Sequence, residues 1–444
     1  MQGWLRRTMA GAAMILALSP ALRAQAPAVD PGPRPGTAGA GGPIRGLTQV
    51  QKDLFEFVTG EFAQLHSIGG TLPGEDGNGL GPTFNLNGCA GCHAFPAVGG
   101  TSPQVNPQIA VANLDGARNS IPSFLSLHGP VREVRFVRNA DGTPDGSVHG
   151  LFTIQGRVDA RGCVLAQPDF DREAANHNVI FRIPTPLFGG GLIENISDET
   201  ILANKDVLSV LKRSLGISGH ENRNGNDGTV TKFGWKAQNK SLLIFSGEAY
   251  NVEMGVTNEL FPNERNLTNR CKFNTTPEDH LVFEDNSGNG GVSSGAQNFA
   301  TFMRLLAPPV PARDTASITN GRILFSAVGC ALCHTPSLST EDSDLAGLAN
   351  QQANLFSDLL VHNMGSGLAD GVSQGNAGPD EFRTAPLWGL GQRLFLLHDG
   401  RTADLKVAIQ SHSSSRSEAN IVVSNFNQLS AKQQQDVLNF LRSL

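Results

Sequence analysis

The sequence has little charge and no surplus of either sign large enough to define a surface. Asp, Glu, Lys and Arg make up 17% of its 444 residues, and 34 basic against 40 acidic side chains leave a net charge of −6. That balance excludes the broad basic face that nucleic-acid binding requires. Long hydrophobic runs are also missing. The apolar stretch Met9–Leu22 falls short of the ~20 residues of a membrane helix, no later segment exceeds it, and no stable membrane span is expected. Cysteine is limited to six residues and tyrosine to Tyr250 alone. Glycine and proline, by contrast, are plentiful at 51 and 25, which predicts many turns and loops. With 39% hydrophobic residues the chain can build real cores, and its length predicts two or three domains.

At the N-terminus, Arg6 and Arg7 precede the apolar stretch, and Leu22-Arg-Ala24 or Ala24-Gln-Ala26 offers a small-residue cleavage site. The pattern predicts a signal peptide over residues 1–24 and export to the periplasm. Residues 25–47 are rich in Pro, Gly and Ala and read as a mobile tether.

Four of the six cysteines fall in two Cys-x-x-Cys-His runs, Cys89-Ala-Gly-Cys92-His93 and Cys330-Ala-Leu-Cys333-His334. This is the attachment signal of a c-type haem: each thiol adds to a vinyl group, and the following His reaches the iron. A redox dithiol does not need that His, and a zinc site would want a second Cys or His pair close by. The runs therefore predict two covalently bound haem c groups, with Cys89, Cys92, Cys330 and Cys333 as attachment points and His93 and His334 as iron ligands. A mildly acidic haem protein suits docking of a small basic electron-donor protein. Cys163 and Cys271 remain; an oxidising compartment favours a disulfide between them over two buried thiols.

Helical spacing of Val50, Leu54, Phe55, Phe57, Val58, Phe62 and Leu65 predicts a helix ahead of the first motif. Short β-like runs follow at Val131–Val137, Leu151–Val158 and Val179–Ile183, and Ser197-Asp-Glu opens a helix over Thr200–Leu211. Three prolines in Pro308-Pro-Val-Pro311 mark a boundary. Beyond it, a helix over Thr315–Val328 leads into the second motif and an amphipathic helix over Ser430–Leu444 ends the chain. The expected fold is mainly α, with two cytochrome c-type domains, 48–310 and 311–444, the first enlarged by a loop-rich insertion with short β-strands.

Four further strings carry a family resemblance: Arg182-Ile-Pro-Thr-Pro-Leu-Phe-Gly-Gly-Gly-Leu-Ile-Glu194, Phe233-Gly-Trp-Lys-Ala237, Asp358-Leu-Leu-Val-His-Asn-Met-Gly365 and Glu381-Phe-Arg-Thr-Ala-Pro-Leu-Trp-Gly-Leu-Gly391. With the haem motifs they resemble the bacterial di-haem oxidoreductases. That family is in turn similar to the di-haem cytochrome c peroxidases and the methylamine-utilisation di-haem enzymes. The resemblance implies that Trp235 stands between the haems and that Glu253 is the acid over an open, peroxide-binding first iron, with Glu194 as the second candidate. It implies a sixth ligand to the second iron at His412, 14 residues after His398; Met364, 30 residues after His334, competes for that place. A calcium ion between the haems is the further cofactor of the related peroxidases. Two departures stand out. The peroxidases' distal Gln falls on Phe245, which makes the distal pocket more apolar. In addition, no His lies between His93 and His128 to block the first iron.

Together these readings predict a periplasmic di-haem oxidoreductase that reduces hydrogen peroxide or a related small-molecule oxidant at the first haem, with electrons relayed by the second. The alternatives are a non-catalytic di-haem electron carrier and an accessory reductase in metal uptake.

Overall fold

The computed structural model describes residues 26–282 and 292–444, so the expected signal peptide lies outside the described residues. The described chain is mainly helical with short antiparallel strands. Among these residues no helix is long and apolar enough to cross a membrane.

The helices begin where the sequence offers a capping hydroxyl. Thr48 and Gln51 form a capping box ahead of the helix Gln49–Ala63, Thr315 caps Ala316–Val328, and Ser430 with Gln433 caps Ala431–Leu441. The first helix buries a narrower stripe than its sequence suggests. Phe55, Val58 and Phe62 face inward, while Val50, Leu54 and Phe57 remain exposed. Phe62 stacks on Phe302 of the helix Gly295–Leu305 with ring centroids 4.5 Å apart. That helix in turn packs on the helix Leu242–Met254. In the C-terminal part, the helices Ala316–Val328 and Ala431–Leu441 cross at Gly321, where a Cβ would lie 1.9 Å from the carbonyl oxygen of Asp436. Only glycine permits that approach.

Glu133–Phe136 is the central strand of a three-stranded antiparallel sheet. It pairs with Val148–His149 and Val179–Arg182, with Val134 opposite both His149 and Phe181. The run expected over Leu151–Val158 shrinks to Phe152–Thr153, paired with Thr83–Phe84. Beyond it the chain turns, with Gly156 at a φ of 92°. The helix expected over Thr200–Leu211 is two helices, Asp198–Asp206 and Ser209–Ser214, separated by Leu208 at a φ of 55°.

Residues 26–47 are not a free tether. Asp30 forms a buried ion pair with Arg442 at 2.6 Å, the Arg34 amide donates to the Gly391 carbonyl, the Ile44 amide donates to the Leu305 carbonyl, and the Gly42 carbonyl accepts from the Ala307 amide. Ala28, Ile44 and Leu47 are buried. The segment lacks regular structure yet satisfies its backbone on both parts of the molecule, which fastens it. The prolines at 308–311 likewise do not seal one core from the next. Leu338, Leu348, Leu355, Leu360 and Trp388 share the larger core with Phe55, Phe62 and Phe302, while Phe325, Phe426 and Phe440 centre a smaller one.

Cys163 and Cys271, both buried, form a disulfide across 108 residues. Closing so long a loop constrains the unfolded chain. Replacing both cysteines with Ala is expected to lower stability by about 2–4 kcal/mol, read as a lower melting midpoint; an unchanged midpoint would contradict this.

Candidate functional site

Each Cys-x-x-Cys-His run forms a helical turn that delivers its histidine into the interior. His93 Nδ1 lies 3.0 Å from the Gly100 carbonyl, and His334 Nδ1 lies 2.9 Å from that of Phe356. A carbonyl can only accept, so Nδ1 carries the proton on each ring and Nε2 keeps its lone pair. Burial pushes both imidazoles down to about 4, which leaves them neutral. A neutral ring with a fixed tautomer is the metal-binding form of histidine.

The histidines open onto two cavities, each walled largely by apolar side chains. Cys89, Cys92 and His93 stand in the wall of the first, and Cys330, Cys333 and His334 in the wall of the second. Burial pushes the Cys89 and Cys330 thiols up to about 12. Arginines supply the positive charge. Arg132 and Arg182 line the first cavity, and the Nε of each is buried without a partner. Arg383 and Arg393 line the second, where burial lowers both to about 10. An iron macrocycle with peripheral vinyl and carboxylate groups fits this donor set: thiols for its edge, an imidazole for its metal, guanidinium groups for its carboxylates.

The cavities are furnished differently. In the first, the helix Leu242–Met254 places Glu253 in the wall, with Asn85 Nδ2 donating to its carboxyl at 2.7 Å. Glu133 meets Glu253 carboxyl to carboxyl, and Arg135 Nε donates to Glu133 at 2.5 Å. Burial, then the charge of Glu133, pushes Glu253 up to about 8. Burial alone would raise Glu133 too, but Arg135 and Arg182 hold it below the usual carboxylate range. At neutral pH the pair therefore keeps one proton, on Glu253. Phe245 lines the same wall and stacks on Phe233. Met254 holds its sulfur 3.8 Å from Cys89 Sγ. The Tyr250 hydroxyl lies 3.5 Å from His66 Nδ1, and burial raises its pKa.

The second cavity brings His412 and Met364 together with His334. His412 Nδ1 donates to the Ala408 carbonyl at 2.7 Å, so its Nε2 is the bare nitrogen, as in His93 and His334. Met364 packs with Leu368, Phe382 and Trp235. His398 stacks on Phe382 with centroids 4.3 Å apart, and His362 sits between Asp358 at 2.9 Å and Glu418 at 2.7 Å. Trp235 lines both cavities, its Nε1 donating to the Ile183 carbonyl at 2.9 Å.

Glu194 lies elsewhere, outside both cavity linings. Its carboxylate pairs with Arg304 Nε at 2.6 Å and accepts from the Leu242 amide at 2.8 Å, so it fastens the start of the helix that carries Glu253. The family-specific string that drew attention to it serves packing at this position. Glu133 and the five arginines that line the cavities, Arg135 among them, were not singled out from the sequence. The alternation Glu133-Val-Arg135 was the available signal, because it sets two charges on one face of a strand.

A family model described as "Di-haem oxidoreductase, putative peroxidase" matches residues 146–444. The chain belongs to this family. Solved structures also match, two among them at low identity. One is a MauG-like protein associated with microbial copper homeostasis, 19% identical over 34% of this chain and 52% of that chain, with a TM-score of 0.25. The other is Kuenenia stuttgartiensis hydrazine synthase, 16% identical over 35% and 58%, with a TM-score of 0.23. Each match thus spans little more than half the length of the solved chain. No curated protein matches. Membership makes the chain a di-haem redox protein of the oxidoreductase class, and the two cavities are where its haems fit.

Because Glu194 is only partly exposed and serves as a helix fastener, Glu194→Ala should cost about 1 kcal/mol of stability and leave the absorption spectrum of the di-haem protein unchanged. A spectral change without a lower melting point would restore Glu194 to the chemistry.

Proposed function

We propose that this di-haem oxidoreductase is an exported, periplasmic enzyme with two covalently bound haem c groups, reducing hydrogen peroxide or a related small oxidant with electrons from a small electron-donor protein. One observation carries the reading: the first cavity has a buried carboxyl pair and His93 as its one lining histidine, whereas the second sets His412 in the same space as His334. In this reading Cys89, Cys92 and His93 hold the first haem. Cys330, Cys333, His334 and His412 hold the second, in two cytochrome c-type units that share an interlocked core.

The haems, when bound, supply iron that exchanges single electrons and, where a coordination site is free, accepts peroxide. The chain's own part is proton transfer and orientation. The Glu253 carboxylate would take a proton from one peroxide oxygen and return it to the other as the O–O bond breaks, releasing one water; two electrons from the haems and two protons from solvent would carry the remaining oxygen to a second water. Burial, which raises its affinity for a proton, makes it a stronger base than an exposed glutamate. Asn85 fixes its direction and Arg135 keeps Glu133 charged beside it. Trp235, as the wall common to both cavities, lies on the path between them.

The base must lose its proton to act, so peroxide-dependent oxidation of the reduced protein should rise as pH rises through about 8. Glu253→Gln should lower the rate by about 10²-fold or more and abolish that rise. Unaltered turnover in the variant would remove Glu253 from the mechanism, and wild-type spectra indifferent to peroxide would favour the electron carrier. For the second haem, His412→Met should raise the midpoint potential by on the order of 0.1 V, while Met364→Leu should leave it in place. A potentiometric titration with the opposite pattern would assign the ligand to Met364.

A further inference from the structure

Lys236 directly follows Trp235, and its side chain is wholly buried. Its ammonium donates to the carbonyl oxygens of Gly378 and Glu381, both at 2.8 Å, and lies 3.2 Å from Asp370 Oδ1. It also sits 4.0 Å from the centroid of the Phe382 ring, in the wall of the second cavity. The other Asp370 oxygen accepts from Arg182 at 2.8 Å, and Arg182 belongs to the wall of the first cavity. Lys236, Asp370 and Arg182 thus form a buried charged bridge between the two walls that Trp235 joins. The neighbouring Glu381 carboxylate is turned away, toward His220 at 3.1 Å and the Gly378 amide at 2.8 Å.

Two carbonyls and a carboxylate are hard oxygen donors of the kind calcium takes, but calcium requires six to eight of them. Here the three are already held by an ammonium, and two positive charges face the one carboxylate in contact with them. A divalent cation at this place would meet repulsion and too few oxygens. The calcium ion implied by the resemblance to the di-haem peroxidases does not fit this junction.

We propose that Lys236 is the built-in cation of the junction between the cavities, occupying the oxygen cage in place of a metal ion and positioning Trp235. The rest of the indole's surroundings agree with this role. The Trp235 carbonyl accepts from the Arg383 amide at 2.8 Å, the Lys236 carbonyl accepts from Asn222 at 2.9 Å, and the Gly234 carbonyl accepts from Arg383 Nε at 3.0 Å. The backbone is thereby gripped on each side of the residue, and the ammonium ties the same turn to the 370–381 segment. Lys236 is a positioning residue, and the inference does not depend on peroxide being the substrate.

The test uses the purified di-haem protein, equilibrated with calcium chloride and desalted, then assayed for calcium by elemental analysis and for spectra and melting temperature with and without EGTA. Wild type should retain no stoichiometric calcium, and EGTA should change neither readout. Lys236→Met, which keeps the stem and deletes the charge, should lower the melting temperature. It should also slow electron transfer between the haems by about tenfold, as expected for a positioned group displaced by a fraction of about 1 Å; Lys236→Arg should recover part of both. One calcium per chain that EGTA removes with a spectral change would overturn the proposal, as would a Lys236→Met protein equal to wild type in both readouts. If Lys236→Met does not accumulate, the wild-type calcium content decides.

Discussion

A buried imidazole that must stay neutral and turn its bare nitrogen inward is the constraint on which both cavities depend. Charging such a ring in an apolar interior is costly, and burial alone would leave its tautomer undefined. The chain resolves both problems with one backbone carbonyl per histidine, from Gly100 for His93 and from Phe356 for His334. Each carbonyl comes from the loop that follows the motif, so the motif alone does not make the site. The loop is held in turn by packing, with Phe62 edge-on to His93 and Phe325 beside His334. The interlocked core and the strap at residues 26–47 therefore bear on the chemistry, because they fix the loops that fix the rings.

From that shared plan the cavities diverge through their charges. The first gains Glu253 and Glu133, a carboxyl pair whose single proton is kept by burial on one side and by Arg135 and Arg182 on the other. The second gains another neutral histidine, His412, lowered by burial and oriented by the Ala408 carbonyl. In the proposed division of labour the first wall moves a proton and the second offers the iron His334 and His412. Trp235 belongs to both walls, and the buried charges of Arg182, Asp370 and Lys236 lie behind it. Burial lowers Lys236 only to about 8, with Asp370 opposing the shift, so the ammonium persists at neutral pH.

Much of this was legible in the sequence wherever the cause is local. The haem motifs, the helix start at Ser197 and the amphipathic terminal helix all follow from spacing within one turn or two. What escaped is tertiary. Nothing around Asp30 foretells its partner, Arg442, 412 residues away, and a Pro/Gly-rich composition is equally natural in a free tether and in a fastened strap. Leu208 breaks a helix that its neighbours' propensities favour. Glu194 and Glu253 look alike as candidate acids, and only the fold separates the one that fastens a helix from the one that faces a cavity. Lys236 was visible beside Trp235, but its oxygen partners come from residues 370–381 and cannot be read from its own surroundings.

In the proposed division of labour one iron would keep a free coordination site and the other would be held by His334 and His412. Low-temperature EPR of the fully oxidised di-haem protein addresses it directly, since each ferric centre reports its own spin state. A high-spin signal from the first haem beside a low-spin signal from the second is the predicted result. Two low-spin signals of equal intensity, unaltered by an added small ligand, would contradict it.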